Sequence, residues 1–183
     1  VPASLSHWQP TDILSDNAYA VLRAIYQQYG VLPVVVHRVV HGGHYQQPVI
    51  ITPQVLEKLQ ALAPLCPLHQ PPALAVIQLL AETFTLTQIA AFDTTFHSQQ
   101  PALSYSYALP VTLRDQGIRA YGFHGLSCQS IMRQLFAIDA KLATGKVLIA
   151  HLGNGSSVTA VVDGVSQANS MGFSTLEGLA MGT

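Results

Sequence analysis

The sequence of 183 residues is short of charge: Asp, Glu, Lys and Arg make up 9% of it, against about 25% in an ordinary soluble domain. A surface with so few charges reads as one that is partly covered in the working protein. No run of Lys and Arg is present and the formal net charge is -1, so neither nucleic acid nor an anionic membrane is expected as a partner. Long hydrophobic runs are lacking too. The longest, such as Val31 to Val36, fall far short of the roughly 20 residues that cross a bilayer, and no signal peptide is visible. Cysteine is scarce. Cys66 and Cys128 stand far apart and form no CxxC or zinc-type pair, which points to reduced packing thiols of a cytoplasmic protein, not to a disulfide.

Apolar residues, by contrast, are plentiful at 49%, and a chain of this length can bury roughly two thirds of its unfolded surface. Histidine is also abundant: with eight of them the molecule turns cationic below about pH 6.5, and its solubility is expected to depend on pH.

The first ten residues, VPASLSHWQP, have no periodicity and read as an extended lead-in. Val21, Leu22, Ile25, Tyr26 and Tyr29 have the spacing of one helical face, and Gly30 is a stop. PVVVHRVV, from Pro33 to Val40, is β-branched and reads as a buried strand. Thr52-Pro53 is a helix start, an N-cap hydroxyl followed by a proline at the first position. After a Pro-rich break from Pro64 to Pro72, Leu74, Ile77, Leu80 and Phe84 predict another helix, and residues 86–92 a strand ending at Asp93. Ser127 is a candidate N-cap for a helix whose face carries Ile131, Leu135, Ile138 and Leu142. A strand from Lys146, a Gly-Asn-Gly corner and a return strand from Val158 to Val162 follow. Asp163-Gly164 then has the chemistry of a two-residue hairpin turn.

Several short stretches carry chemistry. Gly153-Asn154-Gly155 is first of all a tight turn, because Gly and Asn tolerate positive φ. With His151 before it and Ser156-Ser157 after it, the same corner also reads as an anion nest suited to phosphate. Arg38 inside a buried valine strand would need an anion, either a structural carboxylate or the carboxylate or phosphate of a substrate. His37, His41 and His44 read as structural histidines, since i,i+4 spacing aligns side chains on a helix and not on a strand. Asp93, at a strand end, is either a ligand-binding carboxylate or a turn cap. His124, between glycines in GFHG, is either an oxyanion donor or a plain loop histidine.

In order along the chain, HRVVHGG, PLHQP, FDTTFH, YGFHG, AHLGNGSS and SMGF-LEGLAMGT resemble the acetate kinase family, which includes propionate and butyrate kinases. That family belongs to the RNase H-like, actin-like ATPase superfamily. The resemblance runs from about Val34 to Thr183 and implies an α/β fold, with residues 1–144 a partial N-terminal, substrate-side domain and residues 145–183 the start of a C-terminal nucleotide-binding domain. It implies transfer of the ATP γ-phosphoryl group to acetate or propionate with Mg²⁺, giving an acyl phosphate and ADP, by a cytoplasmic homodimer in organic acid metabolism. By motif, Arg38 would grip the carboxylate, Asp93 would place Mg²⁺ or the nucleophile, and His124 would stabilise the phosphoryl group in flight. His151, Gly153, Asn154 and Gly155 would cradle ATP phosphates, and Val40, Leu68, Phe123 and Thr175 would line the acyl pocket.

The chain departs from the pattern in places. It has His44 where the family has Glu, Leu126 and Cys128 where Thr and His are usual, and Thr175 where a proline lines the acyl pocket. The family's opening Asn-Ser-Ser loop, its Arg after MGT, its adenine-binding region and a magnesium-binding Glu lie outside these residues. The expectation is therefore an excerpt of a longer enzyme or a truncated product. Two rival functions stand beside the kinase: a non-catalytic ligand-binding or interaction module, and a plain Mg-ATP binder.

Overall fold

The computed structural model describes residues 16–30 and 34–182. The expected lead-in over residues 1–10, the start of a strand at Pro33 and the end of the chain at Thr183 lie outside the described residues, as do the side chains of Val21 and Leu22. The chain divides into two compact units, one of Val1–Val39 and Pro48–Ala91, the other of Val40–Gln47 and Phe92–Thr183.

In the first unit α1 (Asp16–Tyr29) ends where expected: Gly30 has φ 71° and its N–H donates to the Tyr26 carbonyl at 2.8 Å. A three-stranded sheet has the order β1 (Val34–Val39), β3 (Thr87–Phe92), β2 (Val49–Ile50), with β2 antiparallel to β3. Thr52 caps α2 (Pro53–Ala61) through its hydroxyl, which accepts the Val55 N–H at 3.3 Å. Within the Pro-rich break, α3 (Gln70–Thr83) already begins at Gln70, because Pro71 and Pro72 fall in the first turn, where their lack of an N–H costs nothing. Leu74, Ile77, Leu80 and Phe84 are buried as the periodicity predicts.

β1 is not the buried strand expected. Val34 is 48% and Val36 63% exposed, and Arg38 lies on the same exposed side. The strand is at the edge of the sheet and alternates, with Val35, His37 and Val39 turned inward. Burial therefore does not force an anion onto Arg38. The β-branched run records one covered face, not two.

In the second unit short helices α4 (Ala102–Tyr105) and α5 (Val111–Arg114) precede α6 (Gly125–Ile138) and α7 (Ala140–Ala143). An antiparallel meander follows: β4 (Lys146–Leu152), β5 (Ser156–Val162) and β6 (Val165–Asn169). Asp163 at φ 51° and Gly164 at φ 77° make the two-residue turn that Asp-Gly predicts. The return strand starts two residues earlier than expected, with Ser156 and Ser157 already in the ladder opposite Leu152 and His151.

α6 overturns two expectations. Its cap is His124, not Ser127, which is the third helical residue. The buried face is Gly125, Cys128 and Met132, with Leu135 against the same core, while Ile131, Ile138 and Leu142 are 37%, 81% and 60% exposed. Cys128 and Met132 pack with Ala143, Ile149 and Val161, so helix and sheet share one core. The helix stops at Ile138 because Asp139 turns extended and caps α7, accepting the N–H groups of Lys141 and Leu142 at 2.9 and 3.0 Å.

Candidate active site

Asp93 follows β3 directly and is buried. Its carbonyl accepts the Gly125 N–H at 2.9 Å, and a β-carbon at Gly125 would run into that same carbonyl. The start of α6 is thus pinned to the end of β3. Thr94 Oγ1 accepts the Gly42 N–H at 3.1 Å, which ties the HGG stretch to the same strand end.

His124 sits at this junction in the left-handed region, φ 59° and ψ 20°, a conformation unfavourable for a side chain with a β-carbon. Its Nδ1 lies 2.9 Å from Ser157 Oγ, and its ring stacks on His151 with 4.0 Å between centroids and 21° between planes. His151 is held likewise, with Nδ1 3.0 Å from Ser127 Oγ. Ser157 faces His151 across the β4–β5 ladder, so the hairpin register places one imidazole and the hydroxyl that anchors the other side by side. With Nδ1 of His124 on Ser157, Nε2 is turned to Gly155, where a β-carbon would stand only 3.0 Å from it.

This changes the reading of the Gly-Asn-Gly corner. None of its three residues has positive φ, and the Gly153 N–H is already used on the Gly155 carbonyl at 3.1 Å. The alternating-handed backbone of an anion nest is not formed there. The bare Cα of Gly155 lets the corner approach His124. Gly182 lies on the same corner, its N–H donating to the Asn154 carbonyl at 3.0 Å.

Of the acyl-pocket residues, Val40 and Phe123 are buried in the second unit, and Thr175 is half-buried in a turn there. Glu177 closes that turn: Oε1 accepts the N–H groups of Phe173 and Ser174 at 2.8 and 3.4 Å, and Oε2 accepts the Tyr107 hydroxyl at 2.7 Å. Burial, then the Glu177 carboxylate, push the Tyr107 phenol up to about 12. Leu68 is 65% exposed and, like Arg38, belongs to the first unit. The second unit therefore brings together Asp93, His124, His151, Gly153, Asn154 and Gly155, and leaves Arg38 and Leu68 outside itself.

Sequence reasoning gave no role to His97. It is fully buried, with Nε2 2.9 Å from the Phe123 carbonyl and Nδ1 2.8 Å from Ser166 Oγ. A carbonyl only accepts, so Nε2 carries the proton and Nδ1 accepts from Ser166. Burial, opposed by the bond to Phe123, brings the imidazole down to about 4, so it is neutral at pH 7. Ser127 and Ser157 were also missed as anchors. The alternation of Ser157, Thr159 and Val161 on one face of β5 was the available signal for the second of them.

Magnesium would need hard oxygen donors. Among the described residues no three His, Cys, Asp or Glu side chains cluster. Mg²⁺ keeps several waters and takes one or two carboxylates together with substrate phosphates, so a single buried Asp93 fits an ion that arrives with a nucleotide.

The sequence matches the Acetokinase family over residues 13–183. The chain belongs to that family. It is 51% identical over 149 residues to an acetate kinase of Methylocella silvestris, an alignment covering 80% of this chain and 37% of the relative. It is 38% identical over 178 residues to that of Rickettsia typhi, covering 93% and 46%. Among solved structures, a propionate kinase from Francisella tularensis superposes with TM-score 0.83 at 38% identity, covering 96% of this chain and 46% of that one. The acetate kinase of Entamoeba histolytica gives 0.77 at 35%, covering 89% and 43%. The expected α/β, actin-like ATPase class therefore holds, and the chain spans less than half the length of these relatives.

Proposed function

We propose that the full-length protein is a carboxylate phosphotransferase, moving the γ-phosphoryl group of ATP to acetate or propionate. What supports this reading most is the pair of stacked imidazoles, each fixed at Nδ1 by a serine, against a glycine corner and in the same unit as the buried Asp93. Rigid donors around a point where charge develops suit phosphoryl transfer, in which positioning and electrostatics supply most of the catalysis.

In this mechanism a carboxylate oxygen forms a bond to the γ-phosphorus while the bond from that phosphorus to the β–γ bridging oxygen breaks. The electron pair leaves on ADP. Arg38 holds the carboxylate with its guanidinium fork, and His124 Nε2 steadies the phosphoryl oxygens in transit. His151 with Gly153, Asn154 and Gly155 holds the nucleotide phosphates, and Val40, Leu68, Phe123 and Thr175 enclose the acyl chain. Asp93 holds Mg²⁺, which when bound neutralises phosphate charge. Domains divided near Thr144, a homodimer and a cytoplasmic setting complete the proposal; no helix among the described residues is long and apolar enough to cross a membrane. Sedimentation equilibrium checks the dimer.

The test is Arg38→Ala in the full-length protein. Turnover of acetate or propionate should fall by on the order of a hundredfold or more. Unchanged turnover sinks the assignment.

A further inference from the structure

Asn169, the last residue of β6, has no part in the reaction above, yet its whole hydrogen-bonding capacity is committed around His124. Oδ1 accepts the backbone N–H of Phe123 at 3.4 Å and of Met171 at 2.9 Å. Nδ2 donates to the Phe123 carbonyl at 3.4 Å and to Thr159 Oγ1 at 2.7 Å. Two N–H donors on one end and a carbonyl on the other admit a single orientation of the amide. Both polar groups of the residue just before His124 are therefore gripped by one side chain.

The grip reaches the other side of His124 as well. Thr159 Oγ1 lies 3.4 Å from Cys128 Sγ, and the Cys128 N–H makes the first helical bond of α6, to the His124 carbonyl at 3.0 Å. Gly122, at φ 73°, lets the chain lie directly on this clamp: a β-carbon there would stand 3.0 Å from the Asn169 β-carbon and 2.8 Å from the His97 ring. A residue held at positive φ without being glycine persists only where its surroundings over-determine it. Here they do, from Asn169 and, through the Phe123 carbonyl, from His97.

We propose that Asn169 is a positioning residue that holds His124 in its left-handed cap and so sets where Nε2 points during phosphoryl transfer. The proposal rests on the phosphotransferase reading. Asn169 touches no substrate in it and acts only through His124.

The experiment uses the full-length protein with Asn169→Ala, alone and combined with His124→Ala. Asn169→Ala should lower kcat by about a hundredfold, as small misplacements of catalytic groups do, while KM for carboxylate and ATP changes less than about threefold. In the His124→Ala background it should lower kcat no further, because the two residues act as one unit. A loss of folded protein with unchanged kcat per active site, or an equal loss in both backgrounds, overturns the proposal. A second readout needs no activity: the ring ¹⁵N shifts of His124, seen by long-range ¹H–¹⁵N correlation, should move in Asn169→Ala while those of His37 stay. Unmoved His124 signals overturn it too. If the parent protein forms no acyl phosphate, only the phosphotransferase reading fails, and the ring signals still decide the role of Asn169. Should Asn169→Ala not fold, Asn169→Asp, which keeps the two acceptor bonds and loses both donations, and Thr159→Val carry the same comparison.

Discussion

His97 and His41 are both fully buried, and burial lowers each imidazole to about 4, with the charge of His44 adding to the effect at His41. The unfolded chain would protonate near the ordinary value of 6.5, ahead of the folded one. Their contribution to stability is therefore complete above about pH 6.5 and is lost as pH falls toward 4, by up to about 1.4 kcal/mol per pH unit for each histidine. Urea unfolding midpoints should drop between about pH 7.5 and 5, and the drop should be shallower in His97→Gln. A midpoint that stays level over this range contradicts neutral burial. Some single residues were legible from sequence because their chemistry is local: the Thr52 hydroxyl answers a free N–H three residues on, and Asp163-Gly164 adopts positive φ. The packing role of Gly155 was not legible for the opposite reason. Its value is the space it leaves for a ring 31 residues away, which no local pattern records.

At the scale of the element, α6 shows where periodicity stops being informative. Two apolar stripes fit its sequence, Ile131–Leu135–Ile138 and Cys128–Met132–Leu135, and the second is the one turned to the sheet, with the Gly125 N–H fixing the first turn against the Asp93 carbonyl. Met132→Ala should cost about 2–3 kcal/mol through the cavity it opens beside Ile149 and Val161, whereas Ile138→Ala should stay within about 0.5 kcal/mol. Equal losses in denaturant unfolding would mean that the helix is rotated about its axis. In the meander the strands were plain in sequence, but their functional face was not: only the register shows that Ser157 stands beside His151 and meets His124. β1 erred in the same way, its valines giving the strand and not the side that is covered.

For the whole molecule, the motif order from HRVVHGG to LEGLAMGT fixed the family before any geometry was known, and family match and superposition agree. What composition and motifs could not supply was the wiring beneath the site. The hydroxyls of Ser127, Ser157 and Ser166, and the amide of Asn169, come from three separate elements, α6, β5 and β6, and hold three histidines in place, directly or through the backbone of Phe123. The low charge density also finds its counterpart in exposed Leu148 and Leu152, 77% and 73% exposed on one face of β4. The measurement that bears most directly on the proposed activity is acyl phosphate formation by the full-length protein from acetate or propionate, ATP and Mg²⁺, trapped with hydroxylamine and run beside His124→Ala. Carboxylate-dependent product that falls by on the order of a hundredfold or more in the variant is the expected result. ATP turnover indifferent to carboxylate, or an unchanged rate in His124→Ala, would contradict it.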